Sequence, residues 1–113
     1  MHEITGAGAY TPPEAAAPNH WVDHFRVPDL SVGTYSIPRG GADDQDPHTE
    51  DEIYVVTSGR ARLESGGQSL PVGPGSVVYV AAGELHRFTD VTEDLALLVL
   101  FAPAYETRSG QAP

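Results

Sequence analysis

The chain is expected to be all-β, a small sandwich, barrel or jelly roll, and three observations predict it. Short stretches rich in Val, Ile, Leu, Thr and Tyr recur between Trp21 and Phe101, each bounded by glycine, proline or small polar residues. No window keeps an apolar period near 3.6 for long enough to make a helix. The one cluster of strong helix formers, Glu14 to Ala17, is trapped between Pro13 and Pro18 and is too short to nucleate. Finally, 113 residues allow one domain, of a size that buries roughly two-thirds of its unfolded surface around a single core.

Taken in order, residues 1–18 are rich in alanine, proline and glycine, with Pro12 and Pro13 adjacent, and are expected to be an extended N-terminal arm. A barrel over residues 19–103 follows, with strands near Trp21–Arg26, Leu30–Ile37, Ile53–Ser58, Arg60–Glu64, Gln68–Val72, Ser76–Val80, His86–Asp90 and Ala96–Phe101. The breaks carry their own chemistry: Pro38 to Gly41, Ser58-Gly59, Pro71 to Gly75 and Ala82-Gly83 are turn sequences, and Gly66-Gly67 marks a hairpin because both residues tolerate positive φ. Ala61 and Leu63 alternate with Arg60, Arg62 and Glu64, which predicts one buried and one wet face. Leu95 to Phe101 is continuously apolar, as expected of a strand covered on both sides. In Leu30 to Ile37 neither alternating set is purely apolar, so the inward face stays open. Residues 104–113 are mostly polar and are expected to form a flexible C-terminal tail.

Composition excludes several functions. There is no cysteine, hence no disulfide, thiolate ligand or cysteine nucleophile. The net charge is −10, with arginine as the only strong cation. Without lysine there is neither a Schiff base nor a completed phosphate loop, and so acidic a chain is not expected to bind nucleic acid. Met1 to Tyr10 has no basic start and no apolar run, which predicts neither signal peptide nor membrane span and fits a cytoplasmic protein. Six of the sixteen acids fall between Asp43 and Glu52. Asp43, Asp44 and Asp51 are expected to be solvated there, as charge runs usually are, and Glu50 to sit in the connecting turn.

Glu52 differs because a strand follows it directly. Strand parity places Glu52, Tyr54 and Val56 on one face, with His48 in phase four residues earlier. His86 and Phe88 share a face of a later strand, and a barrel lets inward residues from two strands converge. Two imidazoles and a carboxylate with open positions suit Fe(II), and equally Zn²⁺, Mn²⁺ or Ni²⁺. Asp46, in phase with His48, is a candidate fourth ligand, and Gln45 an alternative through its amide oxygen if the loop bulges. Tyr54, if it faces the cavity, is a candidate to orient a substrate or act as an acid. His2, His20 and His24 are expected to be structural or surface histidines, and Arg62 and Arg87 to face solvent.

The glycine framework adds a resemblance. Gly40, Asp46, His48, Glu52 and Gly59 lie in register with the first motif of the cupin superfamily, with Asp46 where a histidine is usual. Gly75, Gly83 and His86 match the second, with Ala81 in place of a proline and Asp90 in place of an asparagine. The chain therefore resembles a small single-domain cupin, a double-stranded β-helix of jelly-roll type, and the motifs span residues 40–90. The resemblance implies a divalent metal held by His48, Glu52 and His86. It also implies a small organic substrate, handled by dioxygenase-like or isomerase- or cyclase-like chemistry. The competing expectation is a binding or sensing barrel without turnover, since the family includes both. It further implies a homodimer, with the arm and the Trp21 strand as the natural participants.

Overall fold

The computed structural model describes residues 1–107 and contains eight antiparallel strands. They are β1 (His20–Val27), β2 (Leu30–Ile37), β3 (Asp51–Ser58), β4 (Ala61–Ser65), β5 (Gln68–Val72), β6 (Val77–Val80), β7 (Arg87–Thr89) and β8 (Leu95–Ala102). All eight expected strands are present. A five-stranded sheet in the order β1-β2-β8-β3-β6 faces a three-stranded sheet in the order β5-β4-β7. The non-consecutive neighbours make this the jelly-roll form of the double-stranded β-helix.

Side chains from both sheets fill the space between them. From β8, Leu95, Leu97, Val99 and Phe101 point inward and meet Leu63, Val72 and Phe88 of the smaller sheet's side. This is where apolar burial stabilises the fold, at about 25 cal/mol per Å² removed from water. β8 lies between β2 and β3, and Gly8 of the arm packs close to Leu98 on its outer face. That cover explains the continuous apolar run of the strand.

The arm also resolves the face left open in β2. Tyr35 and Ile37 enter the core. Thr34 and Ser36 point outward, yet they are buried, because the arm lies over them. Gly8 N–H donates to Thr34 Oγ1 at 2.8 Å and Thr11 N–H to Ser36 Oγ at 3.0 Å. Thr57 Oγ1 donates to the Gly8 carbonyl at 2.5 Å. The arm contains neither helix nor strand, but its backbone donors and acceptors are used by the sheet it covers. At the other end, residues 104–107 of the expected tail sit on the barrel: Ala104 is buried and Tyr105 N–H donates to Ser31 Oγ at 2.8 Å. Residues 108–113 lie outside the described residues.

Two glycines set close approaches. Gly59 has φ of +86°, and a Cβ there would stand 2.2 Å from the Asp94 carbonyl oxygen, so both backbone and space demand glycine. Gly33 lets the Trp21 ring lie across β2, where a Cβ would come within 2.2 Å of it. Asp90, in the asparagine position of the second motif, has φ of +48°. Asn and Asp are the non-glycine residues that tolerate this region best, so the substitution keeps the turn.

A candidate metal centre

Glu52 reaches the interior by strand alternation. In β3, Glu52, Tyr54 and Val56 are buried while Ile53 and Val55 are less so. Opposite Glu52 stand Val80 of β6 and Phe101 of β8, which seal it from solvent.

His48 arrives by a different route from the one strand parity suggests. β3 begins at Asp51 and the chain bends at Thr49–Glu50, so strict alternation does not extend back to His48. The ring is placed instead by its neighbours. It meets Phe101 edge-on at 4.8 Å and Tyr105 at 5.3 Å between ring centroids, and its carbonyl accepts from Gly83 N–H at 2.7 Å. That last bond ties the two motif loops together. His86 lies immediately before β7, and its Nδ1 is 2.8 Å from the Glu84 carbonyl. A carbonyl only accepts, so Nδ1 carries a proton, and in the neutral ring Nε2 keeps a lone pair directed inward. Glu84 is itself held by Ser65 Oγ at 2.6 Å and Ala81 N–H at 3.1 Å.

These routes bring His48, Glu52 and His86 together, with one donor atom of each no more than 4.8 Å from the others. His86 Nε2 is 3.3 Å from Glu52 Oε1, and His48 Nε2 is 3.8 Å from Glu52 Oε2. Ligands about 2.1 Å from a common ion stand roughly 3–3.5 Å apart, so the set is near coordination spacing. The side chains of His48, Glu52 and His86 are 8%, 2% and 4% exposed. Among the described residues, His48 Nε2 and Glu52 Oε1 are the buried side-chain polar atoms that lack a hydrogen-bond partner. Leaving such atoms unpaired costs about 1–3 kcal/mol each. Their donor chemistry and their convergence fit a divalent cation, which would satisfy both.

The electrostatics divide the two histidines. Burial pushes the His48 imidazole below its ordinary pKa, so it is held neutral, as a ligand must be. Burial also disfavours charge on His86, but the nearby Glu52 carboxylate and the Glu84 carbonyl outweigh it and raise the pKa. That favours the protonated ring, so a metal ion at Nε2 would have to displace a proton. Tyr54, whose hydroxyl is 2.9 Å from His86 Nε2, is raised well above the normal phenol range by burial and then by Glu52 and Asp43. It keeps its proton and donates to the imidazole.

Asp46 and Gln45 do not join this cluster in the same way. Asp46 is exposed and outside the converging set; residues 41–48 are not a strand, so the alternation that paired it with His48 does not exist there. Both residues line a cleft of about 440 Å³ that also reaches His48, Glu50 and Tyr105. A second cleft, of about 490 Å³, reaches His86 from the Gly66-Gly67 hairpin.

The acidic run divides. Asp44 is exposed and accepts from Asn19, whereas Asp51 is partly buried and accepts from Tyr79 and Ala82. Asp43, expected to be solvated, is instead buried with three donors around it. Glu50 lies in the turn as expected but is buried, accepting from Glu106 N–H at 3.0 Å. Arg87 is exposed, and Arg62 bonds Ser69 on the outside. His24 bonds Thr34, His20 meets the Pro12 carbonyl and His2 rests against Phe25; none approaches the centre. Tyr105, which walls His48, had no signal in the sequence beyond an aromatic following Pro103.

Comparison with known proteins agrees with the geometry. An uncharacterized protein of Streptomyces coelicolor is 44% identical over 89 residues, covering 79% of this chain and 85% of that one. KdgF from a Halomonas species has a similar structure, with a TM-score of 0.71 at 21% identity over 80% of this chain and 84% of that chain. A Klebsiella pneumoniae protein with a double-stranded β-helix domain gives a TM-score of 0.72 at 18% identity, over 83% and 84% of the two chains. The cupin domain profile matches residues 33–102. With that match, the fold and both motifs in place, the chain belongs to the cupin family as a small single-domain member.

Proposed function

We propose that this cupin is a metal-dependent protein acting on a small organic molecule, with His48, Glu52 and His86 as the ligands. The observation that carries the reading is the pair of orphaned atoms, His48 Nε2 and Glu52 Oε1, buried beside a third donor. Fe, Zn, Mn and Ni all suit two imidazoles and a carboxylate. The bound ion would supply Lewis-acid polarisation of substrate oxygens, or oxygen chemistry if it is iron. Oxygenase-like and isomerase- or cyclase-like reactions both remain within this reading.

The chain's own residues would do the rest. Phe101 and Tyr105 cover His48 and keep water from the ligands. Tyr54 holds a proton at its hydroxyl, next to His86 Nε2. Once that nitrogen is engaged elsewhere, the hydroxyl needs a new acceptor, and either Glu52 or a substrate oxygen would serve. Tyr54 is thus suited to orient substrate. The two clefts that touch His48 and His86 are within the size range of small-molecule sites. Asp46 and Gln45, on the first of them, are placed to contact substrate or to swing in as a further ligand.

The test is thermal unfolding of metal-stripped protein with added Fe²⁺, Mn²⁺, Ni²⁺ or Zn²⁺. At least one ion is expected to raise the melting temperature, and His86→Ala to abolish the rise. No response to any of the four would reject the reading. A second reading, a binding or sensing barrel without turnover, draws on how tightly the ligand side chains are sealed; metal binding without conversion of any substrate would favour it.

A further inference from the structure

Asp43 is a buried carboxylate, 5% exposed, in the loop between β2 and β3. It belongs to neither glycine-bracketed motif pattern as a ligand, yet its partners bracket the centre. Oδ1 accepts from Tyr35 O–H at 2.9 Å and from Gln45 N–H at 3.3 Å, and Oδ2 accepts from Phe88 N–H at 3.0 Å. Tyr35 belongs to the five-stranded sheet. Phe88 lies in β7, at one edge of the three-stranded sheet. One carboxylate therefore joins the two sheets through the loop that carries His48.

The position of that joint matters. Phe88 follows His86 by two residues, and Gln45 precedes His48 by three. His86 enters the centre from the smaller sheet, while His48 enters from the loop of the larger one, so the spacing of the two imidazoles depends on what holds the sheets at this end. β7 pairs with β4 on one side only, and on its other side Asp43 takes the place of a strand.

We propose that Asp43 is a positioning residue of the metal centre, fixing the separation of His48 and His86. The proposal rests on the metal reading above, so the test must separate the two. Co²⁺ is the probe, because its visible absorption bands report ligand geometry independently of any activity. Wild type, Asp43→Asn, Asp43→Ala and Tyr35→Phe are titrated with Co²⁺, and the metal-free melting temperature of each is recorded. Asp43→Asn keeps the shape, removes the charge and turns one acceptor into a donor facing N–H groups. It is expected to weaken Co²⁺ binding roughly tenfold or more, the scale of lost supporting interactions around metal ligands, and to shift the bands. Tyr35→Phe keeps the charge and is expected to weaken binding less.

If Asp43→Ala does not fold, Asp43→Asn decides. Wild-type affinity and an unchanged spectrum in Asp43→Asn would overturn the proposal, whether or not the melting temperature falls. That outcome would leave Asp43 a stabilising residue only. If wild type itself binds no Co²⁺, the metal reading fails first and the proposal goes with it.

Discussion

At the residue scale, the centre is a competition for lone pairs. His86 Nε2 already has the Tyr54 hydroxyl as a partner, whereas His48 Nε2 and Glu52 Oε1 have none. A metal ion must displace one hydrogen bond and satisfy two orphans. A net hydrogen bond is worth about 1 kcal/mol, or roughly fivefold in affinity. Tyr54→Phe is therefore expected to bind Zn²⁺ as tightly as wild type or up to about fivefold more tightly, by isothermal titration calorimetry. Binding weakened by tenfold or more would instead make the phenol part of what holds the ion. The converging trio of His48, Glu52 and His86 was legible in the sequence because their spacing between glycines is a local pattern. Asp43 was not, since its burial depends on the N–H of Phe88, 45 residues further along, and a carboxylate among other carboxylates looks like a solvated one. Asp46 shows where parity stops: it is a sound guide inside β3 but has no meaning over residues 41–48, which are not a strand.

At the scale of elements, β8 is the strand on which the others depend. It pairs with β2 and β3, and its inward row, Leu95 to Phe101, supplies core and site wall together. Leu97→Ala, at a fully buried position, is expected to cost about 2–5 kcal/mol by leaving a cavity the sheets cannot close. Urea unfolding of the metal-free protein measures it, and a loss below about 1 kcal/mol would show that the barrel collapses around the gap. The strands were legible because period-two alternation and turn residues are local signals. The inward face of β2 was not, because both its faces are buried for different reasons. One enters the core, and the other has its hydroxyls taken up by Gly8 and Thr11 of the arm. A sequence shows hydroxyls on a strand, not the segment that will satisfy them.

For the whole molecule, β1 stands at an edge of the larger sheet, paired among the described residues only with β2, and unpaired strand edges are natural sites of association. We expect two copies to join along this edge, giving a dimer in light scattering at all but the lowest concentrations; a monomer across the range would remove that expectation. The most direct test of the central claim, that His48, Glu52 and His86 gather about one cation, is metal content. Protein purified without chelators, measured by elemental analysis beside His86→Ala, is expected to carry a stoichiometric divalent ion that the variant lacks. Metal-free wild-type protein that also takes up none of the four ions when they are added, or equal metal in both proteins, would contradict it.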